Sequence, residues 1–376
     1  MPPLRFPEFT DEWRKLTIDD ICSEFQSGKF IRADVIQKQG AIPVYGGNGL
    51  RGYTDTYNHV GDYVLIGRQG ALCGNVRFVT DKTYITEHAI AVKGTNDNNT
   101  KFLQYLFEKM NLGQYSDQSA QPGLAVNKLL KLKISIPYKN EQQKIAKLLH
   151  LLDERITTQS GLIEKLESLI SGICKQFHDK TENWIQVSFI ELGEDYSGLT
   201  NKSAGDFGKG KPYITYLNVN TNHIIDESQI QYVSVADDEK QNKVHWGDVI
   251  FTLSSETPDE VAVGSVYLGN CDELYLNSFC FGIHIVNEQY IYQPYLSYFI
   301  SSPQFRKWVF PLAQGSTRFN LQKADFMKKK FLLPPIKEQK KLYDSLSTIS
   351  KRVVIESSIL SKLQLLKLYL LQQMFI

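Results

Sequence analysis

ISIPYKNEQQKIAKLLHLLDERI, residues 134–156, and FLLPPIKEQKKLYDSL, residues 331–346, are one kind of segment written twice. Ile136-Pro137 leads to Glu141-Gln142 and a long amphipathic run, and 197 residues later Leu333-Pro334 leads to Glu338-Gln339 and another. In the first run Ile145, Leu149, Leu152, Ile156, Gln159, Ile163, Leu166, Ile170, Ile173 and Phe177 are spaced by alternating fours and threes, which is a heptad seam. The second run continues the match without a gap, through Leu342, Leu346, Ile349, Val353, Glu356, Leu360, Leu363, Lys367, Leu370 and Met374. Each predicts a helix of about 38 residues, roughly 57 Å long at 1.5 Å per residue.

Two register-matched seams are best explained as partners. With the helices antiparallel and their ends level, facing positions sum to 519, so Ile145 meets Met374, Gln159 meets Leu360 and Glu356 meets Ile163. Both polar seam residues then lie near the middle of the pair, where such groups cost stability and fix register. Gly161 beside them costs about 1 kcal/mol of helix propensity but permits close backbone approach.

The 376 residues suffice for two or three cores. No apolar run approaches the ~20 residues of a membrane span, and MPPLRFPEF is neither a signal nor a transit peptide, so a cytoplasmic location is expected. Five cysteines without a C-x-x-C pair argue against a disulfide framework or a zinc module. The net charge of +1 is spread unevenly. Residues 1–138 carry 16 basic and 14 acidic groups, 139–178 carry 6 and 5, 179–335 carry 13 and 19, and 336–376 carry 7 and 3. A nucleic-acid site must therefore be a local basic face and not a bulk effect.

Residues 1–138 read as short strands broken by glycine, among them Tyr63-Val64-Leu65-Ile66, Asn75 to Val79 and Ala89 to Val92, followed by a helix over about Lys101 to Asn111. The stretch Tyr45 to Tyr53 holds four glycines and permits positive φ and close approach of a ligand. A polar loop, Gly113 to Gly123, precedes the long helix, for which Asn140 and Gln143 make a plausible cap. Residues 179–335 repeat this outline: Gly61-Asp62 is echoed by Gly247-Asp248, Gly74-Asn75-Val76 by Gly264-Ser265-Val266, and the glutamine loop by Ala313 to Arg318.

Catalytic signatures are absent from the pattern. GDFGKGKP, residues 205–212, misses the phosphate-loop motif because Pro212 replaces the hydroxyl that would hold magnesium. A flexible basic loop is the better reading of Lys202, Lys209 and Lys211. The seven histidines show no metal-ligand spacing, and Glu87-His88 has no nucleophile to serve.

Together these features resemble the specificity subunit of type I restriction-modification systems. The resemblance rests on Ile134 to Pro137 with Glu141-Gln142, Phe331 to Pro335 with Glu338-Gln339, and, in the first domain, Tyr45 to Tyr53, Gly67-Arg68-Gln69-Gly70 and Thr86 to Ile90. It covers essentially the whole chain. The second domain departs from the first domain's subclass, since Tyr216 to Asn220 stands where a glycine-rich turn would be. The implied fold is α/β (α+β): a target recognition domain over 1–138, a long helix over 139–178, a second recognition domain over 179–335 and a second helix over 336–376. The helices would form an antiparallel coiled coil with pseudo-two-fold symmetry.

The resemblance implies a non-catalytic subunit that reads a split target on double-stranded DNA. Two methyltransferase subunits would dock on it, and ATP-driven motor and nuclease subunits would join for restriction. The chain itself would bind no cofactor, its partners using S-adenosylmethionine, ATP and Mg2+. Direct readout wants Arg or Lys on guanine and Asn or Gln on adenine, with glycine loops and hydroxyls on phosphates. Candidates in the first domain are Gly47, Asn48, Arg51, Arg68, Gln69, His88, Gln118 and Gln121. In the second they are Lys202, Lys209, Lys211, Ser254, Ser255, Gln314, Ser316, Thr317 and Arg318. The competing reading, a coiled-coil protein-interaction adaptor, predicts no salt-dependent duplex binding.

Overall fold

A computed structural model of the protein describes residues 1–116, 123–180 and 182–376, with the helix backbone alone described over 178–180. The chain divides into two compact units, one comprising 1–163 with 355–376 and the other 164–354. Each unit thus owns one globular domain and a part of both long helices, Lys139–Lys180 and Ile336–Gln373.

In the first unit an antiparallel sheet has the order Cys22–Ser27, Ala89–Gly94, Tyr63–Gly67, Val76–Val79. Tyr63–Gly67 lies inside it and is buried along its whole length, which is why its sequence is a continuous apolar run and not an alternating one. A second sheet joins Gly49–Thr54, Ile42–Gly46, Lys82–Ile85 and His59–Val60. The helix Thr100–Met110, capped by the Asn99 side chain, buries Phe102, Leu103, Leu106 and Phe107 in the core. Arg14–Thr17 pairs antiparallel with Lys133–Ile136, so the domain's first strand is tied to the strand that feeds the long helix.

The second unit repeats this topology. Gly193–Ser197, Cys280–Ile285, Val249–Thr252 and Gly264–Val266 stand in the same order, and Ile185–Val187 pairs with Phe331–Leu333 ahead of the second helix. Tyr216–Thr221, where the sequence lacks the glycine turn, is a short helix.

The repeated Glu-Gln pair has a structural use. Gln142 Nε2 donates to the Pro137 carbonyl at 2.9 Å and to Asn98 Oδ1 at 3.0 Å, and its Oε1 accepts from the Asn99 N–H at 2.8 Å. Gln339 does the same work on Pro334, Tyr290 and Tyr292, each at 2.8 Å. One buried amide therefore pins the start of each long helix to the cap of the domain's own helix. Truncating it strands three polar groups in the core, at roughly 1 kcal/mol or more each. Gln142→Ala should lower the urea midpoint by the equivalent of about 2–4 kcal/mol, whereas Gln143→Ala, on the exposed face, should leave it unchanged.

Asn140 and Gln143 do not cap this helix. It begins at Lys139, with the Glu141 N–H donating to the Tyr138 carbonyl, so Asn140 already lies inside the first turn.

Within each unit the helices pack antiparallel. In the first, Ile145, Ala146 and Leu149 share a core with Leu370, Leu371, Met374 and Phe375, the last stacked on Phe102 at 5.3 Å. In the second, Ile170, Ile173 and Phe177 pack beside Leu342 and Leu346. Ile145, Leu149, Leu346, Gln159 and Glu356 are buried, and Leu152, Ile156, Ile163, Leu166, Ile349, Val353, Leu360 and Leu363 are partly buried.

The level-ended register does not hold at the polar pair. Gln159 Nε2 donates to the Glu356 carboxylate and, at 3.1 Å, to the Glu356 carbonyl. Facing positions here sum to 515, one helical turn from the expected 519, because a buried amide and carboxylate gain more from each other than from Leu360 and Ile163. Lys367, the cation in the second seam, is held by Asp153 at 2.8 Å and Glu108 at 3.0 Å.

Candidate nucleic-acid interface

Three loops of the first unit converge because glycines let their backbones touch. A Cβ on Gly47 would stand 2.7 Å from the His88 carbonyl, and one on Gly67 would stand 2.6 Å from the carbonyls of Gly47 and Leu72. Arg68 N–H donates to the His88 carbonyl at 2.9 Å, and Thr86 N–H to the Tyr45 carbonyl at 2.9 Å. Gly49 at φ +104° and Gly52 at φ +147° take conformations that a side chain resists.

This packing gathers the first-domain candidates on one surface. Asn48, Arg51, Gln69 and His88 are exposed there, and Gly47 and Arg68 are partly covered. The Arg68 guanidinium donates to Ser27 Oγ at 3.1 Å. His88 lies between Gln69 Oε1 at 3.0 Å and Glu87 Oε1 at 3.2 Å. Gln118 and Gln121 fall outside the described residues, though Gly123, just beyond them, bridges to Gln69.

Two further groups belong to this surface. Arg77 is exposed and would lie 3.1 Å from a Cβ on Gly49, and Glu87 Oε2 is buried without a hydrogen-bond partner. Arg77 was hidden by its place in an ordinary strand.

In the second unit Ser254–Ser255, Phe319–Leu321 and Ala313–Gln314 form a small sheet. Its turn contains Ser316, Thr317 and Arg318 and depends on Gly315, at φ +140°, where a Cβ would lie 2.0 Å from the Arg318 carbonyl. Arg318 donates to Ser254 Oγ from Nε at 3.2 Å and from Nη2 at 3.0 Å, with the Phe279 ring 5.6 Å away. Ser255 Oγ donates to Glu260. Ser254, Ser255, Thr317 and Arg318 thus line one cleft with Asn220, Glu256 and the exposed Phe279, none of which sequence reasoning selected.

The three lysines do not form a flexible basic loop. Phe207–Ile214 is a strand of a separate sheet, with Lys209 exposed on it. Lys202 pairs with Glu239, and Lys211 shares Glu273 with Lys243. The hydrogen bond from Lys202 holds the Glu239 carboxyl below its usual range, and that from Lys211 does the same for Glu273. So paired, Lys202 and Lys211 are less available to a phosphate than free lysines, while Lys209 stays exposed on its strand. The missed signal is acidic residues 37 and 62 positions away, beyond any local window.

Among the described residues, His245, Asp248 and His284 could hold a metal ion. They make a network without one. His284 Nδ1 is 2.9 Å from Asp248 Oδ1, and Asp248 Oδ2 accepts from Tyr196 Oη at 2.7 Å and His245 N at 2.8 Å. Asp248 thereby orders the turn at Gly247, the structural use expected of a Gly-Asp step.

Two α/β domains of one topology, each followed by a long helix and each presenting a different polar loop cluster, define a tandem recognition protein. The chain belongs to the type I restriction modification DNA specificity family, whose domain model matches residues 10–168 and again 183–365. It is 40% identical over 154 residues to the EcoprrI specificity subunit of Escherichia coli, a match spanning 40% of this chain and 38% of that protein's length. A protein of Haemophilus influenzae named as a type I restriction enzyme specificity subunit is 24% identical over 94% of this chain and 90% of its own. The crystal structure of the S subunit of a type I restriction-modification system from M. genitalium superposes with a TM-score of 0.69, at 18% identity, over 100% of this chain and 99% of that one. At that identity it is the fold that is shared. Among the described residues no helix is long and apolar enough to cross a membrane.

Proposed function

We propose that the chain reads a two-part sequence on double-stranded DNA, one part through each unit, as the specificity subunit of a methyltransferase complex. The observation that carries this reading is duplication with divergence. Both units keep the same strand order and the same glutamine-pinned helix start, yet one sets Arg51, Arg68 and Gln69 around a glycine turn and the other sets Arg318 over Ser254 and Phe279. A common scaffold with unlike contact surfaces is what reading two unlike half-sites requires.

Methylating a base needs it flipped out of the duplex, so the methyltransferase must be held beside the reader. Two such subunits, using S-adenosylmethionine, would serve the two half-sites. Motor and nuclease subunits, using ATP and Mg2+, would add restriction. The chain contributes recognition and no cofactor of its own.

Mapping adenine methylation in a host with the chain and its methyltransferase, beside a host lacking only the chain, tests this directly. A split motif should be present in the first and absent in the second. Arg318→Ala should relax or lose only one half of it, with about 1–3 kcal/mol of discrimination removed. Identical maps, with an active methyltransferase, would refute the reading.

A further inference from the structure

The two helix starts carry the same residues but not the same cover. On the first, Arg5 donates from Nε and Nη2 to the two carboxylate oxygens of Glu141, each at 2.7 Å, leaving that side chain 3% exposed. Phe6 lies 4.7 Å below the Lys144 ammonium and packs against the core, and Glu8 takes Lys144 as its ion pair. Leu4 N–H is fastened to the Gln373 carbonyl at 2.9 Å.

Glu338 and Lys341 stand 197 residues after Glu141 and Lys144. Among the described residues no arginine pairs with Glu338 as Arg5 pairs with Glu141. Among the described residues Glu338, 33% exposed, has Lys341, itself 59% exposed, as its ion-pair partner at 2.7 Å. They line an open groove that also includes Phe177 and Leu342. Those two residues belong as well to an aromatic recess of about 360 Å³ walled by Trp184, Tyr295, Phe305 and Trp308. Such a recess beside a carboxylate is complementary to an arginine with an aromatic neighbour.

We propose that this groove is the docking site for an extended segment of another protein that presents arginine, an aromatic, any residue and an acid, the chemistry of Arg5-Phe6-Pro7-Glu8. The incoming guanidinium takes Glu338 in a two-point pair, as Arg5 takes Glu141. Lys341, released, meets the acid as Lys144 meets Glu8, and the aromatic fills the recess. The chain's own residues 1–12 are spent on the first helix start, so the occupant comes from a second polypeptide. None of this depends on which DNA sequence is read.

A fluorescein-labelled peptide of residues 1–12, titrated with the full chain and followed by anisotropy, tests the site. Saturable binding is expected, weakened about tenfold or more by Glu338→Ala and likewise by Arg5→Ala in the peptide, as loss of a charge-assisted bidentate pair requires. Glu273→Ala, a carboxylate in a bend of the second domain, should leave it unchanged. Absence of saturable binding up to about 1 mM peptide, or binding indifferent to Glu338, overturns the proposal.

Discussion

Gly67→Ala is expected to lower specific affinity for the DNA target by about a hundredfold, without loss of fold. The added methyl has nowhere to go. Both atoms it meets, the carbonyls of Gly47 and Leu72 at 2.6 Å, are backbone, so the turn holding Asn48 and Arg51 and the loop holding Arg68 and Gln69 must separate. The backbone strain itself should cost about 1–3 kcal/mol, visible as a lower melting temperature with an unchanged circular dichroism spectrum. On the proposed reading recognition should suffer more, since the contacts assigned to Asn48, Arg51, Arg68 and Gln69, worth roughly 1–3 kcal/mol each, are displaced together. Arg51→Ala combined with Arg68→Ala, which leaves the backbone alone, should give a loss of similar size. Because both changes fall in the first unit, only one half of the methylated motif should degrade. An unchanged motif and affinity in both variants would remove this loop cluster from the DNA-reading surface.

The parts of this molecule that follow from period and repetition are legible in the chain alone. Alternating fours and threes announce the helices, and the 197-residue echo announces that they pair. Strand runs such as Tyr63 to Ile66 fall where the sequence puts them. What depends on distant partners is not legible. Gln142 looks like one more polar residue in a first turn until Asn98, Asn99 and Pro137 are seen around it. Lys202 and Lys211 read as free cations until Glu239 and Glu273 are seen paired with them.

The candidate site divides along the same line. Glycines point to Arg51 and Arg68, since glycine placement is a local backbone demand, whereas Arg77 and Phe279 join their clusters only through tertiary packing. The register of the helix pair fails for a related reason. Level ends are a statement about length, and the pairing is decided by which polar groups can satisfy each other.

That decision supports the strongest stability prediction. Gln159→Leu removes the amide that donates to the Glu356 carboxylate and carbonyl within a buried seam, and should cost about 3 kcal/mol in urea unfolding, the range seen when one member of a buried polar or charged pair is deleted. Gln159→Leu with Glu356→Leu should recover most of that loss or exceed the parent, because two leucines bury apolar surface where two polar groups had to be desolvated. Stability and register then part company. With both polar residues gone, the hydrogen bonds that favour the 515 pairing over its neighbour at 519, a slide of four residues or about 6 Å, are lost. Cysteines at Leu152 and Leu363 report the first register and at Leu152 and Lys367 the second, read as cross-linked peptides by mass spectrometry. In the parent the first pair should link far faster, and in the double-leucine chain the preference should collapse. A preference that survives intact would mean that the register is held elsewhere in the first unit, where Lys367 meets Asp153 and Phe375 stacks on Phe102, and not by the polar pair.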